Sequence, residues 1–501
     1  MATQHPDNAG APWWGGNAFL STHEEIEELI TLFKELPIDE YMWDWEGKHV
    51  DEAVGEKLYS RANDFFTQHP LGEDKHLTFR IPAYEDGKMH RTARAFMNVL
   101  SLWDMAAEMR LPRPPVTEMF VPLTTKAEHL IAVRKAFQDV ATYHRTIFTS
   151  SPSASNREHR IHVTPLVEDV ASLFTIRDIV APYWKTLDLQ SEELRQRGLR
   201  VFLARSDPAM NAGLIPAVIA AKSALSSLAT LSDELKIPVH PVIGTGSLPF
   251  RGSVNPTYTD TFLPQYAGVR TYSIQSAFRY DYPKADVEAA LVKMRTEAPR
   301  LEALRVSEDE RVKLLAYSEK LMAIWKTTIE PLAPLINKIS KHVPPRRERL
   351  QHIGLFGYSR GIGKVTLPRA IGFTAAFYSI GIPPELLTTG RALRIAKEDG
   401  LLPLLERTYP ALRNDLLHAG KYFNRENLEL LSKTEEALVP VIDDVAAIEE
   451  WLGSPLGPQK NRHIIHRNIT STIVQRILGD VDQDAIRHDI VTAATIRRSI
   501  G

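Results

Sequence analysis

Short β-branched and aromatic runs recur along this chain, and a longer helix-patterned stretch separates most of them. The runs fall at 77–84, 116–123, 160–167, 200–205, 238–243, 270–276 and 353–358. Between them, 126–142, 176–187 and 209–233 carry apolar residues at helical spacing. Strands separated in this way pair in parallel, because a parallel neighbour can be reached only by a long crossover. Seven or eight such units predict an α/β fold of (β/α)8 TIM-barrel type rather than an open doubly wound sheet. No Gly-x-Gly-x-x-Gly fingerprint marks a dinucleotide fold. Helices are also expected at 22–35, behind a Ser21/Thr22 cap, and at 89–110. Beyond about residue 382 the strand signals fade, and 384–398, 401–409, 410–423, 425–452 and 480–500 all read as helix. The expectation is one helix-rich domain over 1–501. It has an N-terminal segment with helices over 1–115, most barrel strands over 116–383, and C-terminal helices over 384–501.

A chain of 501 residues can bury a large core, and its length fits one big barrel with insertions as well as two or three domains. Its formal net charge of −2 offers no broad basic surface for nucleic acid or an acidic bilayer. The absence of cysteine removes disulfides, thiol nucleophiles and Cys-ligated zinc together. No basic-then-apolar leader is visible at the N-terminus, and no window reaches the uninterrupted apolar length that spans a bilayer. A cytoplasmic enzyme with neither nucleic-acid nor membrane partner is expected. A small anionic substrate remains compatible, since it needs only a local cluster of positive charge.

Three strand candidates end in polar residues suited to such a cluster. The run at 160–167 leads into Glu168, and that at 200–205 leads into Ser206-Asp207-Pro208. In a barrel, neighbouring strand ends lie side by side at one face, so this pair can share a hard cation such as Mg²⁺ or Mn²⁺. The alternative is a pair of helix N-caps, with Pro208 at the first helical position. The third run stops at Gly244-Thr245-Gly246-Ser247 and continues to Arg251-Gly252. Glycines let backbone N–H groups approach an anion, and an arginine adds a planar fork. A purely structural turn is the competing reading. A second loop, 350–369, repeats the pattern with Arg360, Lys364 and Arg369 among glycines, and it lacks the spacing of a Walker A loop. His5, in Thr3-Gln4-His5-Pro6-Asp7-Asn8, has the side chain best suited to proton transfer near neutrality, although chain ends usually fray.

Taken together and in order, Thr-Gln-His-Pro-Asp-Asn at 3–8, Ser-Asp-Pro at 206–208, Gly-Thr-Gly-Ser-Leu-Pro-Phe-Arg-Gly at 244–252 and Phe-Gly-Tyr-Ser-Arg at 356–360 resemble archaeal-type, short-form phosphoenolpyruvate carboxylase. The resemblance runs from residue 3 to the C-terminal Arg-Arg-Ser-Ile-Gly. It implies a helix-rich (β/α)8 barrel, a homotetramer, and Mg²⁺- or Mn²⁺-dependent conversion of phosphoenolpyruvate and bicarbonate to oxaloacetate and phosphate. It also implies catalytic roles for His5 and Arg251 and a metal on Glu168 and Asp207. Substrate binding is implied for Arg80, Arg279, Arg360 and Arg369, and the loop patterns above add Gly244, Gly246, Ser247 and Lys364. The long-form enzymes carry a double Gly-Arg-Gly-Gly loop and a Lys after Ser-Asp, whereas this chain has a single Arg251 and Met210-Asn211. A Mg²⁺-dependent lyase or aldolase acting on a pyruvate enolate is the rival on the same barrel type.

Overall fold

The computed structural model describes residues 1–46, 48–84, 89–148, 161–187, 192–348, 361–362 and 365–501. Eight parallel strands lie side by side in chain order: β1 (Ala2–Thr3), β2 (Glu40–Asp44), β3 (His76–Arg80), β4 (Glu118–Val121), β5 (His162–Val167), β6 (Leu199–Ala204), β7 (Val239–Gly244) and β8 (Thr271–Tyr272). The sheet curls, and β1 lies beside the segment after β8. Thr3 N donates to Ile274 O at 3.1 Å, and Ile274 N donates to Met1 O at 2.8 Å.

Side-chain parity explains the layers. Met42, Phe120, Leu166, Phe202 and Val242 form a small apolar cluster of their own on one face of the sheet. Their strand neighbours Tyr41, Trp43, Met119, Val121, Val201, Leu203 and Ile243 belong to the main core shared with the helices. Toward the strand starts a polar layer takes one residue from each even strand. Arg200 of β6 donates to Glu40 of β2 (2.9 and 3.0 Å), to Glu118 of β4 (2.9 Å) and to Thr271 Oγ1 of β8 (3.5 Å). Burial alone would raise the Glu118 carboxyl, but Arg200 and Arg197 overcome it and hold the group at about 2.

Six of the expected strands match β3 to β8. The strand expected at 353–358 lies outside the described residues. β1 and β2 were not anticipated, for physical reasons. β1 has two residues, and the Glu40 and Asp44 ends of β2 resemble a surface segment until arginines from other strands neutralise them. The helix expected at 209–233 is divided by Gly213 (φ +93°) into Ser206–Ala212 and Leu214–Leu235. That at 425–452 becomes Arg425–Leu431 and Val439–Leu452. The longest of the helices not expected are Glu308–Ser340 and Asn461–Gly479, the first opened by a Ser307/Glu310 capping box. The expectation that no window is long and apolar enough to span a bilayer also needs correction. Leu214–Leu235 is long and apolar enough to cross a bilayer, but 83% of its most apolar window is buried inside the protein. Its apolarity fits a core helix wedged against the sheet and the 308–340 helix.

The N-terminal segment is anchored rather than frayed. Asp281 accepts from Ala9 N and Gly10 N (2.7 Å each), and Arg346 donates to Asn8 O and Ala9 O. Behind β1, the fully buried Glu28 accepts from Arg279 (2.9 Å), Arg347 (2.7 Å), Tyr41 (2.5 Å) and Tyr280. Burial pushes the Glu28 carboxyl up, but Arg347 and Arg279 outweigh it and hold it at about 2. Glu28→Gln leaves two buried guanidinium groups short of counter-charge and should cost on the order of 3 kcal/mol in urea unfolding. The depressed pKa means that the stabilisation is present above the ordinary carboxylate value of 4.5 and is lost as pH falls through about 2. Wild-type stability should therefore drop more steeply over that acid window than that of the variant.

Candidate active site

The strands deliver polar residues to one end of the sheet. β2 ends at Asp44, β3 at Arg80 and β7 at Gly244, while Glu168 follows β5 and Asp207 follows β6. All five line a single cleft of about 890 Å³, open mouth included, together with His5, Arg251 and Arg369. That volume suits a small-molecule site, and the carboxyl ends of parallel strands are where such sites form.

Glu168 is buried, and its Oε2 accepts from Leu123 N at 2.9 Å. The neighbouring Asp169, not Glu168, caps the next helix through Ser172 N. Asp207 lies in the first turn of Ser206–Ala212, whose N-cap position is Arg205. The N-cap alternative for the pair therefore does not describe either residue. Among the described residues, no group of three or more His, Asp and Glu gathers as a ready-made metal cage. Two carboxylates facing one cleft nevertheless fit a hard divalent cation, which takes few protein ligands and completes its shell with water and substrate oxygens.

Positive groups surround the carboxylates. Arg80 forms a bidentate pair with Asp44, Nε to Oδ1 at 2.9 Å and Nη2 to Oδ2 at 2.5 Å. Burial raises the Asp44 carboxyl, but the Arg80 guanidinium outweighs it and brings the group to about 2. His5 is half-buried with Nδ1 3.0 Å from Thr3 Oγ1, and the extended Thr3-Gln4-His5 segment carries its ring to the cleft. Arg369 stands at the N-cap position of the helix Ala370–Ser379.

Arg251 is buried on the loop that follows β7. Its Nη1 donates to Asp7 Oδ2 (3.1 Å) and to the Gly501 oxygen (2.6 Å), and its Nη2 to Gln275 Oε1 (2.5 Å). Gly246 is required beneath it, since a Cβ there would lie 2.7 Å from Arg251 Cζ. Gly246 and Ser247 thus shape the loop without lining the cleft. Arg279 also lies outside the cleft, wholly buried, donating to Thr3 O and Ile274 O as well as Glu28. Arg360 and Lys364 fall outside the described residues.

Sequence reasoning missed several residues of the cleft. Gln4, Asp44, Glu46, Lys48 and Gln275 line it, as does Arg347, whose partners are Glu25 (2.9 Å) and Glu28 (2.7 Å). The signal available was adjacency. Gln4 precedes His5, and Asp44, Glu46 and Lys48 follow an apolar run as Glu168 does. The C-terminal segment docks here as well: Ile500 N and Ser499 Oγ both donate to Asp7 O, at 2.7 and 3.1 Å.

Lysine, a point charge, cannot reproduce the fork by which two guanidinium nitrogens of Arg251 meet three acceptors. Arg251→Lys should therefore lose nearly as much turnover as Arg251→Ala, roughly a hundredfold or more in kcat/KM. Deleting residues 497–501 should lower both the melting temperature and the rate, because it removes the Gly501, Ile500 and Ser499 contacts at once.

The family profile described as phosphoenolpyruvate carboxylase matches residues 1–501. The phosphoenolpyruvate carboxylase of Leuconostoc mesenteroides is 36% identical over 479 residues, covering 95% of this chain and 94% of the relative. That of Metallosphaera sedula is 34% identical over 514 residues, covering 100% of this chain and 99% of the relative. That of Picrophilus torridus is 34% identical, covering 100% and 98%. From end to end, the chain belongs to the phosphoenolpyruvate carboxylase family.

Proposed function

We propose that this chain carboxylates phosphoenolpyruvate with bicarbonate, giving oxaloacetate and phosphate. The observation that carries this reading is the meeting of His5, Arg80, Glu168, Asp207, Arg251 and Arg369 around one cleft, from separate places in a chain that the family matches throughout. Phosphoenolpyruvate brings a phosphate and a carboxylate, and bicarbonate adds more negative charge. Their approach is repulsive unless fixed positive groups offset it in a site sheltered from water.

Glu168 and Asp207 would hold the divalent cation, Mg²⁺ or Mn²⁺. When bound, the cation withdraws charge from substrate oxygens. Arg369, with Arg360 and Lys364, would bind the phosphate. Arg80, held in one orientation by Asp44, would present its remaining donors to a substrate anion. A bicarbonate oxygen attacks phosphorus, the bond from phosphorus to the enol oxygen breaks, and the pyruvate enolate and carboxyphosphate result. His5, oriented through Thr3, takes the carboxyphosphate proton. Carboxyphosphate then separates into CO₂ and phosphate, and the enolate carbon attacks the CO₂. Water must be kept out at this stage, because protonation of the enolate yields pyruvate.

The same reading takes the fold as one domain built on a closed (β/α)8 barrel. The hydrogen bonds between β1 and the segment after β8 support closure. So does the layer of Glu40, Glu118, Arg200 and Thr271, since interior layers of such barrels draw one residue from every second strand. A cytoplasmic homotetramer completes the proposal. Tyr143 and Ile147, apolar, exposed and one helical turn apart, offer a surface for subunit contact.

The test is a bicarbonate-dependent oxaloacetate assay with and without Mg²⁺. Wild-type protein should form oxaloacetate and phosphate in equal amounts, and no product should form without a divalent ion. Glu168→Gln and Asp207→Asn should each reduce turnover by roughly a hundredfold or more while leaving the melting temperature nearly unchanged. His5→Asn should lose oxaloacetate yet keep some bicarbonate-dependent phosphate release, with both products quantified together. Wild-type amounts of both would remove His5 from the mechanism.

A further inference from the structure

The loop that presents Arg251 is gripped from behind by the C-terminal helical segment, to which the sequence assigned no chemistry. Glu385 is fully buried in the turn Pro384–Leu386, and its Oε1 accepts from Phe250 N and from Tyr378 OH, both at 2.7 Å. Asp415, buried on the helix Leu412–Gly420, accepts from Ser253 Oγ through Oδ1 (2.5 Å) and from Tyr409 OH through Oδ2 (2.6 Å). The two carboxyls therefore hold the residue just before Arg251 and the second residue after it. Arg205, adjoining the Ser206-Asp207 turn, completes the grip by donating to Phe250 O at 3.3 Å.

The loop between these points is tightly bonded to itself. Gly246 N donates to Arg251 O, Arg251 N to Leu248 O, and Ser253 N to Leu248 O, while Ser253 takes a left-handed φ of +60°. A closed loop of this kind moves as a unit, so a fixed point on either side of Arg251 sets where its guanidinium stands. We propose that Glu385 and Asp415 are positioning residues for the carboxylation reaction, fixing the Arg251 loop against the cleft through Phe250 N and Ser253 Oγ. This rests on the functional reading above and extends it to a part of the chain outside the cleft.

Two further observations set these carboxyls apart from ordinary buried acids. Among the described residues, Glu385 Oε2 is buried with no hydrogen-bond partner, an arrangement costly for an ionised carboxylate and suited to a neutral acid. Burial pushes Glu385 up to about 7 and Asp415 up to about 6, in spite of the hydrogen bonds that each accepts. What the loop needs from Glu385 is thus an acceptor oxygen, and an amide supplies one as well as a carboxyl does.

That distinction gives the test. Glu385→Gln keeps the acceptor for Phe250 N, and Glu385→Leu removes it. Oxaloacetate formation is measured for both, together with hydrogen–deuterium exchange of the peptide spanning 245–255. The Gln variant should retain kcat within about threefold of wild type. The Leu variant should lose at least about tenfold in kcat, with a smaller change in KM for phosphoenolpyruvate and faster exchange in the loop peptide. Ser253→Ala, which removes only the hydroxyl held by Asp415, should show the same pattern more weakly and serves if the Leu variant fails to fold. Wild-type kcat and exchange in the Leu variant would overturn the proposal, or in the Ser253→Ala variant if Leu does not fold. So would a Gln variant that falls as far as Leu. If the wild type forms no oxaloacetate while the loop still loosens in the Leu variant, the functional reading fails and the anchoring stands.

Discussion

Asp7 is the interaction on which the cleft depends. Its Oδ2 accepts from Arg251, its Oδ1 from Ala277 N, and its backbone oxygen from Ile500 N and Ser499 Oγ. One buried residue thereby ties together the segment carrying His5, the glycine-rich loop, the turn after β8 and the C-terminal segment. A carboxylate removed from water needs its acceptor sites filled, and filling those of Asp7 joins its own segment to the glycine-rich loop and the turn after β8, while its backbone oxygen holds the C-terminal segment.

The same logic recurs through the inner part of the molecule. Glu28 gathers Arg279, Arg347, Tyr41 and Tyr280 behind β1, and Arg200 gathers Glu40, Glu118 and Thr271 across the even strands. Apolar packing fills the space between sheet and helices, but it is indifferent to small shifts in register. Buried charges are not, because a shifted partner leaves an ion uncompensated at a cost of about 3–5 kcal/mol. Above the apolar layer of Phe120 and Phe202, the strand ends then present Asp44, Arg80, Glu168 and Asp207 to one space. The C-terminal helices serve as a backing for that space, through Glu385 and Asp415.

The alternation of apolar runs with helices made the parallel sheet legible, since each run needs a crossover before the next. Glu168, Asp207 and Arg251 were legible for a related reason, because each lies just after such a run. β2 was not, since Glu40 and Asp44 look like surface charges when their partners are unknown. The place of Arg279 outside the cleft was not legible either, because nothing local separates an arginine that faces a cleft from one that meets Glu28. Asp44 and Lys48 escaped notice although they follow an apolar run as Glu168 does, and Gln275 has no local signature.

The sequence by itself determined the order of β3 to β8 and of most helices between and after them, the lack of thiol chemistry, and the motifs that mark the family. These depend on periodicity, residue type and short spacing, all of which act within one element. Only the tertiary structure decided which polar residues meet. It placed His5 at the cleft, turned Arg279 away from it, and joined Gly501 to Arg251. The physical reason is that a charge buried in a protein is paired across the chain. Its partner is fixed by how the sheet curls and where the helices dock, at sequence separations that no local pattern encodes.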